Sequence, residues 1–70
     1  PDGIDPNFFY GDFLSQDGRY EEAKAYLNKA LQAPPRPGRE LADAGRRQEI
    51  KASLAQIDQK LNDGAGKQYN

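Results

Sequence analysis

The chain has 70 residues, 36% of them hydrophobic and 30% charged, with a formal net charge of −1 and neither cysteine nor histidine. A chain of this length makes one small domain, and without these two residue types it has no disulfide and no ordinary structural zinc site. The nearly neutral charge argues against a general polyanion binder, and no apolar run approaches the roughly 18 residues of a membrane span.

The composition predicts an all-α fold. Val and Thr are absent and Ile occurs three times, whereas Ala, Leu, Glu, Gln, Lys and Arg are abundant. The scarce types favour sheets and the abundant types favour helices. The core is thin, since the apolar residues comprise nine Ala and only sixteen larger side chains. We therefore expect the chain to rely on very efficient packing, a second copy, a partner or the rest of a longer parent chain.

The first predicted helix runs from Pro6 to Gln16, with Asp5 as its N-cap. Its apolar residues occupy nearly half the helix circumference, which indicates contacts on two sides. These residues are Phe8, Phe9, Tyr10, Phe13 and Leu14. Gly18 then supplies the positive φ that ends the helix.

The second predicted helix covers residues 20–33 and has one apolar stripe with the spacing of an amphipathic helix. The stripe consists of Tyr20, Ala23, Leu27, Ala30 and Leu31. Because Ala23 and Ala30 are small, the first helix is expected to approach the second closely there, with Gly11 as its own contact point. Residues 4–35 are thus predicted to form a helical hairpin.

A proline-rich linker at residues 36–39 follows, part of an extended stretch over 33–39. The third helix is predicted over 40–62, with a flexible tail over 63–70. Its expected buried side consists of Leu41, Ile50, Leu54, Ile57 and Leu61. A competing interpretation breaks this helix at Gly45 and makes Asp43 the cap of a shorter one.

The hairpin resembles one tetratricopeptide repeat, a helix pair of roughly 34 residues. Gly11, Ala23, Leu27, Ala30 and Pro35 occupy the Gly, Ala, Phe, Ala and Pro positions of its pattern, over about residues 4–35. In the Trp, Leu and Tyr positions this chain has Asn7, Tyr10 and Leu14. The resemblance implies an antiparallel hairpin from an α-α superhelix, followed by a longer third helix of the capping type.

The resemblance also implies a non-catalytic scaffold for protein–protein interaction, with a protein partner or its own copies as a homo-oligomer. The bacterial members that it resembles imply a bacterial cytoplasm or periplasm. Carried over by position, the concave binding surface comprises Phe8, Asp12, Ser15 and Gln16. The alternatives are burial of Phe8 against the third helix or a neighbouring repeat, and a role as the structural cap of a longer array without a ligand of its own.

Nothing in the sequence predicts catalysis, a cofactor, a metal site or a small-molecule substrate. There is no His or Cys, and neither Ser15 nor Ser53 lies in a nucleophile motif. A less favoured hypothesis is nucleic-acid binding through Arg36, Arg39, Arg46 and Arg47, which lack neighbouring aromatic residues for stacking.

Charge is unevenly distributed along the chain. Residues 1–22 carry six acids and one arginine, whereas residues 29–51 carry six cations and three acids. This asymmetry is compatible with head-to-tail or two-fold self-association, and also with a mixed solvated surface.

Overall fold

The computed structural model describes the backbone of residues 3–67 and the side chains of residues 3–63. Within this range the chain forms three helices, α1 (Ile4–Gln16), α2 (Tyr20–Leu31) and α3 (Glu40–Lys67), and no strand. The helices α1 and α2 form an antiparallel hairpin, and α3 packs against both of them, more extensively against α2. The prediction of an all-α fold with a helix hairpin and a longer third helix is confirmed.

Helix α1 begins two residues earlier than predicted, and its N-cap is Gly3 rather than Asp5. Pro6 becomes the third helical residue, where its missing N–H has no intrahelical acceptor to lose. The side-chain amide of Asn7 donates a hydrogen bond of 2.9 Å to the Gly3 carbonyl. Asp5 therefore lies inside the first turn, which leaves its carboxylate available to α3.

Gly18 turns the chain between α1 and α2 with φ of +80°. The Arg19 N–H donates to the Leu14 carbonyl at 2.9 Å, and the Gly18 N–H donates to the Ser15 carbonyl at 3.0 Å. This pair of bonds is a Schellman motif, in which a left-handed glycine satisfies the last carbonyls of a helix. The predicted positive φ of Gly18 is confirmed.

The segment between α2 and α3 differs from the predicted extended linker. Helix α2 ends at Leu31 rather than Ala33, because Pro34 disfavours helical backbone in the residue before it. Further on, the Arg39 N–H donates to the Arg36 carbonyl at 3.1 Å across a β-turn. Pro followed by Gly favours such a turn at its two central positions. The linker at 36–39 is therefore a turn, and it directs α3 back along the hairpin.

Helix α3 is continuous from Glu40 to Lys67, as the main prediction had it, and the competing interpretation with a break at Gly45 is wrong. The helix also passes its expected end at Asn62, because no proline removes a backbone donor there and glycine costs only about 1 kcal/mol relative to alanine. Residues 68–70 of the expected tail lie outside the described residues. A salt bridge of 2.9 Å from Lys24 to Asp58 links α3 to α2 and raises the pKa of Lys24.

The core lies between the hairpin and the inner side of α3. Its buried apolar residues are Ile4, Phe8, Leu14, Ala23, Leu27, Ala30, Ala33, Ile50 and Ile57. Leu54 and Leu61 pack at its edge. Leu41, predicted to be buried, is 91% exposed. It lies nine residues before Ile50, and at 100° per residue this spacing places it on the opposite side of α3.

Candidate protein-interaction surface

Three aromatic side chains of α1 point away from the core. Phe9 is 56% exposed, Tyr10 43% and Phe13 57%. Helical spacing sets them opposite the buried positions of the same helix, which pack against α2 and α3. We call these three residues the α1 outer face.

The rings of the α1 outer face are held by contacts with one another and with α2. Tyr10 stacks on Phe13 with ring centroids 6.1 Å apart, and it meets Tyr26 of α2 edge-on at 4.6 Å. Phe9 tilts against Phe8 at 5.5 Å. Because Lys29 lies 5.3 Å from the Tyr26 ring centroid, a cation also borders this cluster. These contacts fix the orientation of the exposed rings, so the face is an ordered aromatic surface.

The exposed area of the α1 outer face is large for a chain of this size. Aromatic side chains present 150–250 Å² each, so the three exposed fractions sum to roughly 300 Å². This value is comparable to the largest apolar patch of an ordinary monomer, and such patches mark contact sites for other molecules. The chemistry that the face offers is the burial of an apolar partner surface.

The four predicted binding residues of α1 meet three different environments. Phe8 is buried, and the guanidinium of Arg46 from α3 lies 4.6 Å from its ring centroid. The amide of exposed Gln16 donates a hydrogen bond of 2.9 Å to the carboxylate of half-buried Asp12. Ser15 is half-buried. The structure thus pairs Asp12 with Gln16 and places Phe8 beneath α3, where it packs as the alternative interpretation expected; binding at these four residues stays a prediction.

An ion-pair network joins the start of α1, the turn after α2 and the start of α3. The guanidinium of Arg36 donates to Asp43, through Nε at 3.0 Å, and lies 3.7 Å from Asp5. Arg46 also binds Asp5, donating from Nε to its Oδ1 at 3.0 Å. Its Nη1 donates to Glu49 at 3.1 Å. The hydrogen bond from Arg36 holds the pKa of Asp43 below its usual range, and the pKa of Arg36 is raised in return. Asp43 is therefore a buried anchor of α3 rather than a helix cap.

Arg47 closes the C-terminal end of α2 from a neighbouring helix. Its guanidinium donates to the carbonyl of Leu31 and, at 3.1 Å, to the carbonyl of Ala33. Carbonyls at a helix C-terminus have no intrahelical donor, and a cation is favoured beside them. The Arg47 guanidinium therefore supplies hydrogen-bond donors to the last carbonyls of α2 and, through the same bonds, holds α3 against the end of α2.

These contacts bear on the hypothesis of nucleic-acid binding. Arg36, Arg46 and Arg47 all use their guanidinium groups on carboxylates or carbonyls of this chain. A phosphate would have to compete with those internal partners. Arg39 is exposed, so only one of the four arginines in this hypothesis keeps its guanidinium away from such internal partners.

The apolar pattern of α1 did not by itself distinguish the side chains that point outward from those that point inward. Phe9, Tyr10 and Phe13 point outward, whereas Phe8 and Leu14 point inward. A signal for this distinction exists in the register of Gly11. Residues on the Gly11 side of α1 pack inward, and positions 9, 10 and 13 fall on the opposite side. The inward arginines carried no such signal, since their partners are 7 to 41 residues away in the chain.

Two features are absent from the described part of the chain. None of its helices combines the length and the hydropathy that crossing a bilayer requires. No three His, Cys, Asp or Glu side chains within that part converge as metal ligands.

Comparison with known families gives a match over the hairpin. Residues 4–37 match the family model described as tetratricopeptide repeat. The comparisons with curated proteins and with solved structures each found no match. The matched range covers α1, α2 and the start of the turn that leads to α3.

Proposed function

Residues 4–37 form a tetratricopeptide repeat, a helical unit that serves protein–protein interaction, and from this premise we propose that the chain is a non-catalytic assembly module that associates with copies of itself. The contact surface in this proposal is the α1 outer face. Helix α3 covers the side of the hairpin that lies opposite the α1 outer face.

The exposure of Phe9, Tyr10 and Phe13 supports this proposal most directly. Leaving these rings in water forgoes the burial of roughly 300 Å² of aromatic surface, which is worth several kcal/mol at about 25 cal/mol per Å². Because the core is small, this amount matters to the stability of the whole chain. The α1 outer face therefore gains more from association than any other exposed side chains of α1.

Sedimentation equilibrium at micromolar concentration tests the proposal. The wild-type chain should show a mass above that of the 7.8 kDa monomer, rising with concentration. The double variant Phe9→Gln/Phe13→Gln should shift toward the monomer, with association weakened about tenfold or more, because truncation of buried aromatic anchors usually costs above 1 kcal/mol each. Glutamine keeps the helix propensity high, so circular dichroism should show unchanged helix content.

The matched control is Ala25→Gln, on the exposed side of α2. It adds the same side chain without removing a ring and should leave the sedimentation profile unchanged. A wild-type chain that stays monomeric and well folded at micromolar concentration would contradict self-association.

A structural cap for a longer repeat array is the alternative function. The observation in its favour is that α3 covers Phe8 and binds the end of α2 through Arg47, which shields one side of the hairpin. In that case the α1 outer face packs on a preceding repeat of a parent chain. A protein that includes such a repeat from the parent reading frame would then be monomeric. In that protein Phe9→Gln/Phe13→Gln would lower the thermal midpoint and leave the mass found by sedimentation unchanged.

A further inference from the structure

The side of α3 that faces away from the hairpin carries no charged residue between residues 41 and 59, although 30% of the whole chain is charged. This side lies opposite Ile50 and Ile57, and all its members are exposed. We call it the α3 outer face. It consists of Leu41, Gly45, Gln48, Ala52, Ala55 and Gln59.

The fold of a single copy does not explain this surface. A Cβ on Gly45 would meet nothing within 4 Å, so no internal contact requires glycine there. Leu41 is 91% exposed and touches no part of the core. Three of its six members are small, namely Gly45, Ala52 and Ala55, and small positions let a helix that bears large rings approach closely.

The unpaired charges along α1 and those beside the middle of α3 have opposite signs. Beside the α3 outer face, Glu49 and Asp58 are already paired with Arg46 and Lys24, at 3.1 and 2.9 Å. The lysines on its borders, Lys51 and Lys60, are exposed and form no ion pair with the described residues. Between Glu49 and Lys60 the unneutralised charge at this border is therefore positive. The exposed acids Glu40 and Asp63 lie at the two ends of the face and form no ion pair with the described residues.

Along α1 itself, acids border the α1 outer face. The cations near its rings come from the other helices, since Lys29 of α2 lies 5.3 Å from the Tyr26 ring and Arg46 of α3 lies 4.9 Å from the Phe9 ring. Asp12 accepts a hydrogen bond only from a neutral amide, that of Gln16. Asp17 lies 4.0 Å from Arg19, whose guanidinium is bound more tightly by Glu22 at 2.7 Å. Two α1 outer faces brought together would set acids against acids.

Resting on the self-association proposed above, we propose that the α1 outer face of one copy docks on the α3 outer face of a second copy. Large rings then meet small uncharged positions, and the acidic border of one face meets the lysines of the other. The two faces are different surfaces of the molecule, so the contact is heterologous. Each copy keeps one face free, and assembly grows head to tail instead of closing as a two-fold dimer.

A complementation experiment tests this arrangement. One variant disables the α1 outer face, Phe9→Gln/Phe13→Gln, and the other disables the α3 outer face, Ala52→Glu/Ala55→Glu. All four positions are exposed, so both variants should fold with unchanged helix content. The matched control for the second variant is Ala25→Glu, an equal change on the exposed side of α2.

Each variant alone should be monomeric at concentrations where the wild-type chain assembles, with association weakened about tenfold or more. An equimolar mixture of the two should form a 1:1 heterodimer, because one copy retains an intact α3 outer face and the other an intact α1 outer face. The control should assemble like the wild-type chain. Sedimentation velocity with one variant fluorescently labelled measures all three results.

Other outcomes overturn the proposal in distinguishable ways. If the α3 variant assembles like the wild-type chain while the α1 variant does not, head-to-tail docking is wrong and self-association through α1 stands. If both variants are monomeric and their mixture is also monomeric, docking between these two faces is wrong. If the wild-type chain itself is monomeric, the proposed function and this inference fail together.

Discussion

A Cβ placed on Gly11 would lie 2.8 Å from Cγ of Leu27 and 2.9 Å from its Cδ2. The helices α1 and α2 therefore approach too closely at this point for any side chain. Leu27 is fully buried, and the Ala23 carbonyl lies 3.3 Å from the same position, so neither neighbour has room to withdraw. The close packing of α1 on α2 therefore requires a residue without a Cβ at position 11.

Gly11→Ala should destabilise the chain by up to about 2 kcal/mol. Overpacking a filled core typically costs about 1–3 kcal/mol, and the better helix propensity of alanine returns about 1 kcal/mol. Gly45→Ala is the control, because it makes the same change in the same type of helix with open space around it. Urea denaturation should show Gly45→Ala stabilised by about 1 kcal/mol and the two variants shifted in opposite directions. Equal shifts of the same sign would show that Gly11 is not a close contact.

Ala30→Leu should also destabilise the hairpin. Ala30 is fully buried on the inner side of α2, so a leucine would need space that the core lacks. The expected loss is about 1–3 kcal/mol. Ala25→Leu, at an exposed position of the same helix, should change the free energy of unfolding by less than about 0.5 kcal/mol. Thermal unfolding of the two variants at equal, dilute concentration makes the comparison.

Arg47→Gln should lower stability by about 1–2 kcal/mol, because the carbonyls of Leu31 and Ala33 lose a charged donor at the end of α2. The expected loss of stability lies at the lower end of the range for charged hydrogen bonds, because the Arg47 side chain is only half-buried. Lys51→Gln removes an exposed cation from the same helix and should be nearly neutral. Indistinguishable denaturation midpoints for the two variants would mean that Arg47 does not secure α2.

Asp43→Asn should reduce the acid sensitivity of the fold. Arg36 holds the pKa of Asp43 below its ordinary value, so near pH 4 the unfolded chain binds more protons at this residue than the folded chain does. The stability from this pair is present above about pH 4 and is lost as pH falls further toward the lowered pKa. The wild-type thermal midpoint should therefore exceed that of the variant at neutral pH.

Below about pH 4 the two thermal midpoints should converge. Circular dichroism melts from about pH 7 to about pH 2 provide the measurement, with Asp63→Asn as a control for an exposed carboxylate of the same helix. Parallel curves for wild type and Asp43→Asn over the whole range would contradict the assignment.

Local sequence signals specify the three helices and the hairpin. Gly18 ends α1 because the left-handed backbone at that position suits only a residue without a Cβ, and the apolar spacing of α2 repeats at the helical period. Gly11, Ala23 and Ala30 indicate close packing through their size alone. These properties depend on residues within a few turns of each other, so they are visible without the fold.

The phasing of α3 and the two-sided character of α1 depend on tertiary structure. Helical periodicity sets Leu41 opposite Ile50, but only the packing of α3 on α2 shows that the Ile50 side is buried and Leu41 is exposed. Hydropathy likewise does not distinguish Phe8 from Phe9, since both are large apolar rings on one helix.

The sequence by itself determined which segments are helical and where two of them touch. Only the tertiary structure decided which aromatic rings remain on the surface and which arginines turn inward. The physical reason is that helix formation and close packing at small residues are local, whereas burial depends on a partner surface. For Arg46 the carboxylate of Asp5 stands 41 residues away along the chain, a distance that no local pattern spans.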